Sequence, residues 1–458
     1  MLVSALKFPE TIKLSMNYLE FSNLKKLKTI DLKTYSTFFM TGVIFLYAFT
    51  RFIDPSVNKA AQAFLGLGLF YLFIKNPENI RKDPMFILFL SVIVAQVATW
   101  LSVKMFYPEI INNTLKIDKL GKLFLFIPVA WWLKNNRKLI PLLFFVAFAG
   151  FLISMYISCD FFAEMNAAFK GARVDFGIRN AQHVSMFFGL MVIFSLFFMY
   201  ILKKNKWLVA LAVLVFVIGV TGLIVTQTRQ TFFSLIISFL VFSFVVIVTS
   251  KISIKKIGAF AVLFTFIITV SGYSLSINKR YNGVWDSVKA FIEPLPDDVA
   301  GKKEILAYYI NRQAETGAGI RLKLWMAMSP YIYHKPLLGW GSEGVPDKIK
   351  TNTLLKGGAA AGMGHVHNYH VRLIVCYGVV GFILINGVYV WFLISGYRVR
   401  EKILDGNVWF FVTIGFVVYW FTINNFEGYN AFWSGVFCHN LVVGSLYANY
   451  MGEKDKLQ

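Results

Sequence analysis

The sequence predicts an all-α, polytopic membrane protein of about twelve transmembrane helices with one large polar loop module, and three observations carry that expectation. Of the 458 residues 57% are hydrophobic and only 15% charged, with a mean hydropathy of +0.61. A soluble domain is roughly half apolar and a quarter charged. The apolar residues also come in blocks of about 17 to 25, the length that crosses a hydrocarbon core of about 30 Å as a helix. Finally, the blocks are continuous rather than alternating, so backbone amides in lipid are satisfied within helices and not by a β-barrel.

Residues 1–35 read as a lysine-rich cytoplasmic tail broken by polar residues. The tail lacks a short apolar run ending in a small-residue cleavage site, so the first helix is expected to serve as an uncleaved signal. Nine apolar blocks fill 36–276, at 36–52, 58–75, 84–103, 120–133, 139–158, 182–202, 207–226, 231–249 and 257–276. The fourth is short for a full span. Three more, at 372–396, 407–423 and 431–450, make up 372–450, and 451–458 form a second polar tail. Connections after the second, fourth, sixth, eighth and tenth blocks read KNPENIRK, KNNRK, KKNK, KISIKK and YRVREK. With the two tails they hold 23 of the 46 Lys and Arg, which places these loops and both termini in the cytoplasm. The net charge of +22 is thus largely a topology signal, and without a soluble basic face it implies no nucleic-acid partner.

The loop at 277–371 faces the opposite, periplasmic side and is the one soluble-sized segment. Proline turns (EPLPDD, MSPYIYHKPLLGWG), a glycine-rich run (KGGAAAGMG) and a helix-compatible stretch from Lys302 to Gln313 predict a folded module rather than a linker. Function is expected to concentrate there. Cys159, Cys376 and Cys438 lie too far apart in sequence to read as a disulfide framework or a CxxC metal site.

Three polar constellations stand out. Gly364-His365-Val366-His367-Asn368-Tyr369-His370 gathers three of the six histidines just before the tenth helix. It reads as an interfacial loop, as a metal site, since imidazole is a common zinc ligand, or as the source of a general base with a pKa near 6.5. No neighbouring carboxylate or cysteine completes a metal shell locally. Thr226-Gln227-Thr228-Arg229-Gln230 sets an arginine between two long apolar helices. That arginine either snorkels or offers its planar fork to phosphate oxygens. Gly319-Ile320-Arg321 is followed by Trp325 and by Pro336-Leu337-Leu338-Gly339-Trp340-Gly341. Arg321 and Trp325 are four apart and would share a helical face, stacked in the plainest reading.

On these residues the sequence resembles the O-antigen ligase superfamily of bacterial membrane glycosyltransferases. The resemblance lies in G-x-R-x-x-x-W at 319–325, P-L-x-G-x-G at 336–341, His367-Asn368 leading through Leu373 to Gly378 and Gly381, and the Arg229 turn. It extends to the helix count and the long loop between helices nine and ten. Members include ligases that move a glycan from undecaprenyl diphosphate to lipid A-core, polymerases of the lipid-linked glycan, and protein O-oligosaccharyltransferases. The resemblance implies an enzyme of the inner membrane, most like an O-antigen ligase, acting at the periplasmic face in lipopolysaccharide biosynthesis. It further implies an inverting transfer without cofactor or metal, from an undecaprenyl-diphosphate-linked glycan to a lipid A-core hydroxyl within the lipid bilayer. His367 would then be the catalytic base, with Arg229 and Arg321 binding the diphosphate. His365, Asn368, Trp325, Arg179 and Asn180 would support them. This fits the chemistry, because a diphosphate leaving group needs charge stabilisation rather than protonation.

Polymerase is the alternative within the family. Many polymerases carry a second large periplasmic loop, whereas the other loops on that side here are short. A membrane transporter is the alternative outside it, since intramembrane arginines and histidines can line a substrate path. Transporters show paired broken segments in two related halves, and no such repeat is evident.

Overall fold

The computed structural model describes residues 32–108, 114–249, 258, 286–295, 299, 301–401 and 406–457. Among these every regular element is helical, in agreement with the all-α expectation. In chain order the principal helices are α1 (Leu32–Thr50), α2 (Pro55–Lys75), α3 (Pro84–Phe106), α4 (Phe126–Leu133), α5 (Ile140–Ser158), α6 (Ala181–Ile201), α7 (Lys206–Thr226), α8 (Arg229–Thr249), α9 (Lys302–Arg312), α10 (Gly317–His334), α11 (Tyr369–Val399), α12 (Gly406–Ile423) and α13 (Trp433–Leu457). Eight of the described helices, α2, α3, α5 to α8, α11 and α12, are long and apolar enough to cross a membrane. The chain is a multi-pass membrane protein. The block expected at 257–276, apart from residue 258, most of the N-terminal tail and residues 277–285 lie outside the described residues.

Short loops between spans are held by side-chain caps, each worth about 1 kcal/mol. Asp54 caps α2, accepting from the amides of Ser56 (2.8 Å) and Val57 (3.1 Å), with Pro55 preset at the first helical position. Asp83 caps α3 in the same way. It also accepts from Trp131 Nε1 (2.8 Å) and Tyr447 Oη (2.7 Å), tying α3, α4 and α13 together at one end.

The block at 120–133 is not one helix. A short helix at Asp118–Gly121 passes through a 3₁₀ turn at Lys122–Phe124 into α4, which frees backbone groups that lipid would not satisfy. α13 supplies the partners. Asn440 accepts from the Phe126 amide (2.9 Å) and donates to the Lys122 carbonyl (2.8 Å), while His439 Nε2 meets the Leu123 carbonyl at 2.9 Å. The polar residues that dilute the hydropathy of α13 are therefore bonded to a broken neighbour.

α11 breaks at Gly378, where φ is 64° and ψ −167°. Its open turn is stitched to the loop 336–341: the amides of Val379 and Val380 donate to the Pro336 (2.8 Å) and Leu337 (3.3 Å) carbonyls. In return Trp340 and Gly341 donate to the Val375 and Cys376 carbonyls, both at 2.8 Å. The P-L-x-G-x-G stretch thus serves as a wedge that anchors the polar module, α9, α10 and the short helix Gly344–Thr351, onto α11. Replacing Gly378 by Ala forces a side chain into left-handed backbone and against the Leu337 carbonyl oxygen. We expect a loss of about 1–3 kcal/mol, seen as a lower thermal midpoint of purified protein than wild type. An unchanged midpoint would refute the wedge.

Candidate active site

Asn368 caps α11, its Oδ1 accepting from the Val371 amide at 3.0 Å, and the Tyr369 amide donates to the Asn424 carbonyl at 2.8 Å. The chain just ahead is thereby fixed, and His367 takes φ 49°, a left-handed conformation uncommon for any residue but glycine. Such strain persists where the surroundings over-determine it. Here Trp325 of α10 donates its indole N–H to the Val366 carbonyl at 2.7 Å. Trp325 therefore holds the histidine segment, and among the described contacts it is not the stacking partner expected for Arg321.

The two imidazoles converge on Glu427, which lies between α12 and α13 and is 1% exposed. His367 Nδ1 is 2.8 Å from Glu427 Oε2, and His365 Nε2 is 3.2 Å from Oε1. The Gly428 amide also donates to Oε1 at 2.9 Å. Gln182, in the first turn of α6, bridges to the arginine: with its amide nitrogen facing the carboxylate it donates to Glu427 Oε2 at 2.7 Å and accepts from Arg321 at 2.9 Å. One hydrogen-bonded chain therefore runs from Arg321 through Gln182 and Glu427 to His367.

Burial works against the charge of Glu427, yet the hydrogen bonds from His365 and His367 outweigh it and hold the carboxyl well below its usual range. Its stabilising charge is therefore present at neutral pH and lost only in strong acid. Burial pushes the pKa of the Arg321 guanidinium below its usual value, with Glu427 and Tyr429 acting in the opposite sense. A guanidinium in such a place keeps its charge. Arg179 lies over the Phe432 ring at 4.0 Å, and that ring also meets His365 edge-on at 5.3 Å. Asn180 caps α6 by accepting from the amides of Gln182 (3.0 Å) and His183 (3.1 Å), which sets the position of the Gln182 bridge.

Arg229 opens α8 and is exposed. Its turn is tied to the same end of the bundle: Gln230 donates to Tyr429 Oη at 2.6 Å, Tyr429 Oη donates to the Gln182 carbonyl at 3.2 Å, and Thr228 Oγ1 donates to the Ala181 carbonyl at 3.2 Å. Arg229 thus stands at the rim, while Arg321, His365, His367 and Asn368 form the centre.

Glu427 and Gln182 are the members that sequence reasoning missed. A signal was present for the first, since Glu427 is the lone acidic residue from Gly406 to Gly452, in the last predicted loop on the side of the large module. Its position corrects the view that no carboxylate accompanies the histidines. The ligand atoms of His365, His367 and Glu427 all lie within 4.8 Å of one another, a two-histidine, one-carboxylate set that suits a divalent metal.

Residues 214–385, a little over a third of the chain, match the family model described as O-antigen ligase. This match supports placement in the O-antigen ligase superfamily without distinguishing among its members. No curated protein matches the chain.

Proposed function

We infer that this membrane glycosyltransferase-like chain moves a glycan from undecaprenyl diphosphate to an acceptor hydroxyl, with inversion and without a metal. The observation that carries the reading is the chain Arg321–Gln182–Glu427–His367, which sets a cation for a diphosphate and an oriented imidazole side by side. Because Glu427 accepts from Nδ1, His367 is held with Nε2 as the basic nitrogen. Nε2 takes the acceptor hydroxyl proton as that oxygen bonds to the anomeric carbon. The bond from that carbon to the diphosphate oxygen breaks on the opposite face. The lipid diphosphate leaves with the electron pair, its charge met by Arg321 and, from the rim, by Arg229. Both arginines are cations aimed at charge that grows in the transition state.

O-antigen ligase, with lipid A-core as acceptor, is the activity we favour, and polymerase and protein O-oligosaccharyltransferase differ from it in the acceptor alone. Glycan analysis of a deletion strain tests this. Loss of capped lipopolysaccharide with accumulation of lipid-linked polymer supports the ligase. A single capped repeat means polymerase, and loss of glycoprotein alone means the third activity. The close His365–His367–Glu427 set favours metal-assisted transfer as a second reading, under which a chelator abolishes turnover.

The basic even-numbered loops support a site that faces the periplasm of a bacterial inner membrane, with the segment 277–371 and the site residues on that side. A reporter active only in the cytoplasm should work when fused after Lys204 or Lys402 and fail after Lys302. Activity after Lys302 would invert this topology.

A further inference from the structure

Away from the histidine site, a groove of about 460 Å³ lies between the end of α3 and the start of the wedge loop, lined by Ser102, Phe106, Tyr107, His334, Lys335 and Pro336 to Leu338. Arg321 and His334 sit thirteen residues apart on α10, so the groove is about 20 Å from the diphosphate arginine at 1.5 Å rise per residue. Two ammonium groups share one indole here: Lys348 Nζ is 4.3 Å and Lys335 Nζ 5.3 Å from the centre of the Trp340 ring. Lys335 also lies 4.2 Å over the Tyr107 ring and 3.4 Å from Ser102 Oγ. Lys348 has a carboxylate partner, Asp347 at 3.3 Å. Among the described residues Lys335 has none within ion-pair distance. Burial and the charge of Lys348 both disfavour its protonated form, a cost that an anion in the groove would offset. Apolar surface continues from the cations: Phe106 is 71% and Leu337 65% exposed, at the end of a membrane-spanning helix.

We propose that this groove holds the phosphate headgroup of an anionic lipid of the adjoining leaflet on Lys335, with the charge of Lys348, which borders the groove on the same Trp340 ring, adding to the attraction and the acyl chain lying along Phe106 and Leu337. The cations, the aromatic belt and the lipid-facing apolar edge match an amphiphile that is negative at one end. The site is separate from the transfer centre and stands whether or not that centre transfers glycan. Each lysine near a membrane surface contributes about 1 kcal/mol towards an anionic lipid, roughly fivefold in affinity. The test measures thermal stabilisation of the purified full chain by short-chain phosphatidylglycerol, phosphatidylcholine and inorganic phosphate. Phosphatidylglycerol should stabilise at lower concentration than the other two, and K335Q and K348Q should each weaken it about fivefold. K335R should retain binding, and all variants should match the lipid-free midpoint of wild type to show intact folding. Equal stabilisation by the two lipids, full stabilisation by inorganic phosphate, or unchanged binding in the K335Q/K348Q double variant would each overturn the proposal.

Discussion

Replacing His367 by Ala is expected to slow transfer by about 10²- to 10⁴-fold, the usual cost of removing a general base. The protein should remain folded, because Asn368 still caps α11 and Trp325 still holds the Val366 carbonyl. His365→Ala should retain measurable transfer, since Glu427 then keeps His367, Gln182 and the Gly428 amide as partners. Glu427→Gln separates orientation from folding better than Ala does, as it preserves shape in a buried site. It replaces a charged carboxylate with two acceptor oxygens by a neutral amide with one, which loosens the hold on the His367 tautomer, and should lower kcat about tenfold or more, with little change in KM, as expected when a group acts on the transition state alone. A dead His365→Ala beside a working His367→Ala would reassign the base. Loss of activity in both, reversed by added divalent metal after chelation, would move the account to metal-assisted transfer.

Arg321→Ala should remove at least about 2 kcal/mol of transition-state stabilisation, a fall of thirtyfold or more in kcat/KM, comparable with deleting one oxyanion donor. The effect has two sources. The diphosphate loses a half-buried cation, and Gln182 loses the donor that orients its amide towards Glu427. Lysine should rescue only partly, because a point charge cannot reproduce the bidentate fork. Arg229→Ala is expected to fall in the same direction, through the loss of an exposed cation beside the diphosphate. Full activity in Arg321→Ala, measured on protein that is inserted and melts normally, would remove this residue from the site.

Much of this was legible in local patterns. Continuous apolar blocks mark the spans, and the asparagine after His367 is both the cap of α11 and the marker of the proposed base. Arg321 and Trp325 are one turn apart and do face the same region. Their partners were not legible, because they come from distant segments that only folding brings together. Glu427 is sixty residues beyond His367, and Gln182 lies within an apolar helix. Trp325 meets a backbone carbonyl that no side-chain pattern announces. The break within 118–133 was hidden for the same reason, since its satisfying groups, His439 and Asn440, lie at the far end of the chain. The P-L-x-G-x-G stretch was read as part of a chemical constellation, whereas its glycines and carbonyls repair the turn opened at Gly378.

The central claim is that an imidazole oriented by Glu427 and a cation at Arg321 suffice for glycan transfer from a lipid diphosphate. The most direct measurement follows purified full-length protein in lipid vesicles with an undecaprenyl-diphosphate-linked glycan and lipid A-core, with EDTA present, scoring both the coupled glycan and the released lipid diphosphate. The account predicts equal amounts of the two products from wild type, undiminished by EDTA, and close to none from His367→Ala or Arg321→Ala. Turnover that stops with EDTA, or that persists in His367→Ala, would contradict it.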